Sequence, residues 1–194
     1  IQEVDRTLIT GNLRQARRTA EARGRQMIRK GTIQDAAEIA RIKVTGWQAA
    51  YPGIVPQSYL NEMDIGNETK KWTLNLEDPG KNVYVAESGK GLAGYVVFGT
   101  CRDEDAVKMH EICAIYVQPE SYRKGIGRQL MEVAEKFLLN TFPGDIAVWV
   151  FEENHSSRSF YSGMGYAPDG KRKRLKFTGV PFDGIRYIKS FEEA

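Results

Sequence analysis

Apolar residues recur in two rhythms along this 194-residue chain, and glycines and prolines mark where one gives way to the other. Ile33, Ala36, Ala37, Ala40, Val44 and Trp47 are spaced by helical turns and predict an amphipathic helix running to about Ala50. Thr32, with Asp35 three residues on, marks its start, and Pro52 and Gly53 break it. The short strand "MIRKGT" precedes this helix, and two smaller helical stretches, "PQSYLNEM" and "NETKKWTLNL", lie either side of Gly66. The rhythm then becomes that of strands: "NVYVAES" alternates, "SGKG" turns, "LAGYVVFG" returns, and "AVKMHEICAIYV" is a longer apolar run. Ile126, Leu130, Val133, Ala134, Phe137 and Leu138 form a second helical stripe, ended by "NTFPG". "DIAVWVF" reads as a buried strand and "SSRSFYSGM" as a short helix; "KRLKFTG" and "GIRYIKSF" read as a closing hairpin around "VPFD". This order predicts an α+β fold with a mixed, mostly antiparallel sheet of about seven strands flanked by helices, not a doubly wound parallel sheet.

Composition divides the chain in two. At 41% hydrophobic and 27% charged residues it can bury a real core. Residues 1–30 carry eight Lys/Arg against three acidic residues, whereas the remainder has 20 against 22. Residues 1–26 therefore read as a basic N-terminal extension, with Leu13, Ala16 and Ala20 at helical spacing before Gly24, and residues 27–194 as the folded domain. The body is not a nucleic-acid-type surface, and the basic run Lys171–Lys176, alternating along a strand, reads as a solvated face. Two cysteines, Cys101 and Cys113, make no disulfide framework, and no stretch has the length of a membrane span or the pattern of a signal peptide. The expectation is a cytoplasmic protein with reduced thiols, no membrane partner and no metal.

The chemistry is concentrated in "YVQPESYRKGIGRQLM", Tyr116 to Met131, where an apolar strand runs through a glycine turn into a helix. Gly125 and Gly127 let a ligand approach the backbone, and the helix N-terminus with Arg123, Lys124 and Arg128 offers an anion both N–H groups and charge. A dinucleotide fingerprint needs a third glycine where Leu130 stands, and a P-loop needs Gly-Lys-Ser/Thr, which is absent. An anion cradle and a ligand-free turn both fit this stretch alone.

Two motifs in order narrow the choice. "HEICAIYVQPESYRKGIGRQLM" resembles the acyl-CoA-binding motif of the GNAT superfamily of N-acyltransferases, and "NHSSRSFYSGMGY" resembles that family's second signature. The helix "IQDAAEIARIKVTGWQAAY" is similar to the family's first helix, and the resemblance spans roughly Met27 to Phe191. One slot departs: Tyr122 stands where the family has Gln or Arg, and Arg123 where it frequently has glycine. The resemblance implies acetyl-CoA as co-substrate and an amine acceptor, small molecule or peptide, attacking directly in a ternary complex. It implies Glu111 as the base, Tyr161 as the acid that protonates the departing sulfur, and the Val117 N–H on the thioester carbonyl. It places Arg123, Lys124, Gly125, Ile126, Gly127 and Arg128 around the pyrophosphate and Asn154 on the pantetheine arm.

Strand alternation puts Glu111, Cys113 and Val117 on one face and His110 on the other, where it reads as a packed or surface histidine. Cys113 lacks an activating partner and reads as inert. Trp47, Tyr51 and Tyr59 fall where the resemblance implies the acceptor side, with Trp47 in the core stripe. Two other functions stay open: an acyl-CoA-binding sensor without catalysis, and a nucleic-acid-binding protein using the basic arm. The chain itself does not distinguish a monomer from a homodimer.

Overall fold

The computed structural model describes residues 27–106, 108–177 and 180–191, with residues 175–177, 180 and 181 as backbone only; the basic extension of residues 1–26 lies outside these. β1 (Met27–Lys30) leads through a single 3-10 turn, Ile33–Asp35, into α1 (Ala36–Ala50). The Asp35 carboxylate accepts from the Thr32 N–H at 2.8 Å and from its hydroxyl at 2.9 Å, and it also receives the Arg29 guanidinium at 2.7 and 2.8 Å. The start signal in the sequence is thus real, but Ile33 belongs to the turn and is 46% exposed, so the buried stripe begins at Ala36. Short α2 (Gln57–Glu62) and α3 (Ile65–Glu77) follow, the latter capped by the Asp64 side chain on the Asn67 N–H.

β2 (Asn82–Ser88), β3 (Gly91–Thr100) and β4 (His110–Val117) form an antiparallel meander. After β4, α4 (Ile126–Thr141) crosses to β5 (Ile146–Phe151), which pairs parallel with β4. α5 (His155–Gly163) and the hairpin β6 (Ala167–Phe177) and β7 (Val180–Lys189) complete the chain. The sheet order is β1-β2-β3-β4-β5-β7-β6, mixed and mostly antiparallel, in agreement with the expected class.

One face is packed by α4 and α5: Leu130, Met131, Ala134 and Leu138 meet Val96, Phe98, Ile112 and Val148. On the other face Ile39, Ile42 and Trp72 of α1 and α3 cover Val83, Val85 and Tyr95. Each such fully buried side chain contributes about 1.5–3 kcal/mol of transfer free energy.

The last hairpin differs from its expectation. β6 starts at Ala167, six residues before the predicted strand, and Val180–Asp183 lies inside β7 rather than in a turn. β6 is an edge strand, so its side chains need no apolar period. Lys171, Arg172, Lys173 and Arg174 reach Asp105, Glu152, Asp103 and Asp183 at 3.1, 2.6, 2.5 and 3.7 Å. The basic run is a charged edge of the kind that resists further strand pairing, with its described charges matched.

Candidate active site

The site begins with an irregularity in β4. Val97 pairs with Ala114 but Phe98 pairs with Ile112, so Cys113 is an extra residue, a β-bulge. A bulge reverses the alternation that follows it. Ile112 packs on the α4 face, and beyond the bulge Ile115 and Val117 do so, whereas Tyr116 packs on the α1 face. Glu111, next to Ile112, therefore points to the α1 face, opposite Val117, and the shared face expected for the two is corrected. Six residues of strand also put them roughly 20 Å apart.

The bulge coincides with a parting of strands. β4 and β5 are paired only at His110–Ile146, Glu111–Ala147 and Ile112–Val148. Beyond that the two strands diverge, leaving a gap in the sheet. The Gln118 N–H donates to the Ala93 carbonyl at 2.8 Å, a hydrogen-bonded pair. Antiparallel ladders alternate such pairs with non-bonded ones, so Gly94–Val117 and Val96–Ile115 are non-bonded pairs. The N–H and C=O groups of both Val117 and Ile115 thus turn from β3 toward the gap. Ile115 is missing from the sequence-based site because its direction depends on the bulge, which has no residue signature. A Cβ at Gly94 would lie 2.6 Å from the Tyr116 carbonyl oxygen, so only glycine permits this approach of β3 to β4.

At the end of β4 a 3-10 turn, Pro119–Ser121, leads to the glycine turn. Arg123 (φ 58°) and Gly125 (φ 77°) are both left-handed, and Gly125 is the N-cap of the 16-residue α4. This explains why Arg123 occupies a position suited to glycine. Left-handed residues near a helix N-terminus turn successive N–H groups toward one point, an anion nest, and the helix dipole adds positive potential. The backbone of Arg123 to Arg128 therefore fits a diphosphate. Of the side chains, Lys124 Nζ donates to the Glu120 carbonyl at 2.7 Å and Arg128 Nη2 to the Gly163 carbonyl at 3.3 Å. Gly127 has a further role: a Cβ there would sit 3.3 Å from the Phe160 ring, so its absence lets α4 pack closely on α5.

Asn154 and Tyr161 lie across the gap from β4. Asn154 is buried as the N-cap of α5, its Oδ1 accepting from the Ser157 N–H at 3.0 Å. Tyr161, 6% exposed, stacks edge-on with Phe160 and Tyr166, and burial, with Tyr51 nearby, pushes its phenol well above the ordinary value. Above the gap stands an aromatic cluster of Trp47, Tyr51, Tyr59, Tyr116 and Phe151. Trp47 is core, as expected, and its indole N–H donates to the Tyr116 hydroxyl at 2.8 Å.

At the far end of β4, the buried Glu111 carboxylate is gripped by Arg102: Nη2 to Oε1 at 2.6 Å, Nε to Oε2 at 3.0 Å, and the Arg102 N–H to Oε2 at 3.3 Å. Cys113 reaches solvent, yet it is flanked by protein on most sides, and that environment and the Glu111 charge push its thiol up to about 11. It is not an activated nucleophile. His110 is fully packed, stacked on Phe142 with its Nε2 2.9 Å from that residue's carbonyl.

The structure brings together Val117, the glycine turn, Asn154 and Tyr161 around one gap, and leaves Glu111 at a distance. The model of the acetyltransferase (GNAT) family matches residues 46–166. An uncharacterised N-acetyltransferase of Bacillus subtilis, YuaI, is 34% identical over 84% of this chain and 96% of its own length. A probable N-acetyltransferase of Mycobacterium tuberculosis is 30% identical over 84% of this chain and 94% of its own. A spermidine N(1)-acetyltransferase of Thermoplasma acidophilum is 24% identical over 72% and 86%. Among solved structures, the PaiA N-acetyltransferase of Thermoplasma acidophilum in complex with coenzyme A aligns with a TM-score of 0.63 at 20% identity, covering 85% of this chain and 98% of that one. YncA of Salmonella typhimurium, a putative acetyltransferase with acetyl-CoA, aligns with a TM-score of 0.63 at 21% identity, covering 87% and 95%.

Proposed function

The chain belongs to the GNAT acetyltransferase family, and from that premise we propose that it transfers an acetyl group from acetyl-CoA to a primary amine by direct attack in a ternary complex. The observation that carries this reading is the gap beyond the Cys113 bulge, into which the Val117 and Ile115 peptide groups turn, next to the left-handed turn at the α4 N-terminus.

In this reading the N–H groups from Arg123 to Arg128 hold the pyrophosphate, with the side chains of Arg123, Lys124 and Arg128 adding charge around it. The peptide groups of Ile115 and Val117 pair with the pantetheine arm and polarise the thioester carbonyl, stabilising the negative charge that grows there as the amine adds. Asn154 contacts the same arm. Tyr161 donates its proton to sulfur as the carbon–sulfur bond breaks. Because its phenol titrates well above 10.0, it keeps that proton across the working range, and the rate has no descending limb from Tyr161 below pH 10. Glu111, roughly 20 Å along β4 from Val117 and held by Arg102, is beyond the reach of a single bridging water, so the ammonium proton leaves to solvent rather than directly to its carboxylate.

The acceptor face is the α1 side, where Tyr51, Tyr59 and Phe151 flank the gap. Its amine is sought among polyamines, amino acids, aminoglycosides and peptide N-termini. Calorimetry with acetyl-CoA, then CoA-thiol release across such a panel, tests the reading: binding and release on at least one amine support it, and no binding overturns it. Tyr161→Phe is expected to lower kcat on the order of 100-fold with acetyl-CoA affinity unchanged. Full turnover in that variant would remove Tyr161 from its role. The Arg102 grip on Glu111 favours one second reading, an acyl-CoA sensor, which binding without release on any amine would establish.

A further inference from the structure

The gap between β4 and β5 is a wedge with a closed end. The strands are paired up to Ile112–Val148 and part beyond it. An arm entering from the turn at Arg123–Arg128 therefore runs along Val117 and Ile115 toward a junction of hydrogen-bonded strands. The α4 face offers no room either, because Ile112, Val148, Val150 and Tyr161 are buried there in one cluster with Leu130 and Met131. Whatever is attached to the thioester carbonyl can grow only toward the α1 face.

On that face stands Tyr116, and the Cys113 bulge put it there. Unbroken alternation from Ile112 would place Tyr116 on the α4 face. The extra residue turns it to the α1 face instead, between Ile115 and Val117, whose peptide groups face the gap. Its ring is held from several sides. The hydroxyl accepts from the Trp47 indole N–H at 2.8 Å, and the Tyr95 ring lies 5.4 Å away between centroids. α1 crosses it at Gly46, where an added Cβ would come within 3.2 Å of Tyr116 Cδ1. Trp47 is buried and meets Phe151 of β5 edge-on at 6.3 Å, so the aromatic layer reaches from one side of the gap to the other. From this enclosure we infer that Tyr116 determines acyl-chain length: its ring leaves space for an acetyl group beside the Ile115 and Val117 peptide groups and collides with the further carbons of a longer chain. The inference rests on the acetyl-CoA reading given above.

Calorimetry with CoA, acetyl-CoA, propionyl-CoA and butyryl-CoA reads this wall without an acceptor. The unaltered protein is expected to bind butyryl-CoA at least about tenfold more weakly than acetyl-CoA, the discrimination a rigid pocket gives against added methylenes. Two variants move the wall in opposite directions. Tyr116→Ala removes it and should bring butyryl-CoA to within roughly threefold of acetyl-CoA. Gly46→Ala suits the helix and presses the ring toward the gap, so propionyl-CoA should weaken about threefold relative to acetyl-CoA. CoA has no acyl end and reports the turn and the arm alone. Equal affinity for butyryl-CoA and acetyl-CoA in the unaltered protein overturns the proposal. So does a Tyr116→Ala effect that is the same for CoA and every acyl-CoA. If Tyr116→Ala does not fold, an unchanged acetyl-to-propionyl ratio in Gly46→Ala overturns it instead. Failure of the unaltered protein to bind acetyl-CoA overturns the reading beneath it, so the two failures are separable.

Discussion

On the face that carries α1, the two halves of the sheet are closed by opposite means. Over β1–β4, two helices lay Ile39, Ile42 and Trp72 on Val83, Val85 and Tyr95, a surface held by apolar area. Over β5, β7 and β6, the segment after β3 brings Asp103 and Asp105 onto the sheet. Arg186, 4% exposed, there bonds Asp103 at 3.2 Å, Asp105 at 3.0 Å and Asp169 at 2.7 Å. Asp103 further accepts from the Trp149 indole at 2.7 Å and from Lys173, whose ammonium lies 3.9 Å over the Trp149 ring. Apolar closure is non-directional and needs a helix's bulk, whereas paired charges close a face with a thin loop but depend on every partner. Glu111 and the gap lie along the seam between the halves. The charged half closes its side of that seam with a loop, while Trp47 of α1, Tyr51 at its C-cap and Tyr59 of α2 stand over the gap.

Removing Arg186 should break the comparison most severely. Arg186→Met leaves three carboxylates around an apolar chain, and a loss of about 3–5 kcal/mol in urea unfolding is expected. A loss below about 1 kcal/mol would mean that the charges do not close this half. The deficit should also depend on pH. Burial alone would raise the Asp103 carboxyl, but its bonds from Lys173 and Trp149 outweigh that and hold it below the ordinary aspartate value of 3.8; Arg186 and Lys171 lower Asp105. A carboxyl depressed in the folded state stabilises fully above its unfolded value and loses that stability as pH falls through the folded one. The gap between Arg186→Met and the unaltered protein should therefore narrow below about pH 3.8 and be constant above pH 5.

In the apolar half, Ile39→Ala removes a fully buried side chain, and about 2–4 kcal/mol is expected from lost transfer energy and the cavity left behind. This deficit should not change between pH 3 and 8. A pH-dependent deficit at Ile39 would erase the distinction between the halves.

The two halves also differ in what their residues disclose. The helices and strands of the apolar half are legible because burial imposes a period, which is why Ala36, Ala40, Val44 and Trp47 of α1 and the β2–β3 hairpin fall where the pattern puts them. The stripe named from spacing nevertheless omits the fully buried Ile39 and Ile42 and includes the exposed Ile33 and Ala37. β6 is not legible: its pairing is backbone to backbone and its side chains answer to carboxylates on distant segments. The glycine turn was readable because the left-handed φ at Gly125 restricts the residue choice, and the motif context carried the anion with it. The bulge at Cys113 has no such restriction. Alternation through it therefore misplaced Glu111 relative to Val117 and concealed Ile115.

The smallest expected effect tests how dry the apolar half is. Among the described residues, the Tyr95 hydroxyl is the one buried side-chain nitrogen or oxygen without a hydrogen-bond partner. Tyr95 is fully buried beside Trp72 and Tyr116, at 5.0 and 5.4 Å between ring centroids. A hydroxyl moved from water into such a place without a partner costs about 1–3 kcal/mol, and the same ring without the oxygen escapes that penalty. Part of the gain is lost because the vacated space loses packing contacts. Tyr95→Phe should therefore stabilise by up to about 1 kcal/mol, a rise of roughly 2–4 °C in Tm for a chain of this length. A fall in Tm would mean that the hydroxyl has a partner, a buried water held between α1, α3 and β3. The helix-covered half would then rely on a polar contact as the charged half does, and the contrast between the two would be one of degree.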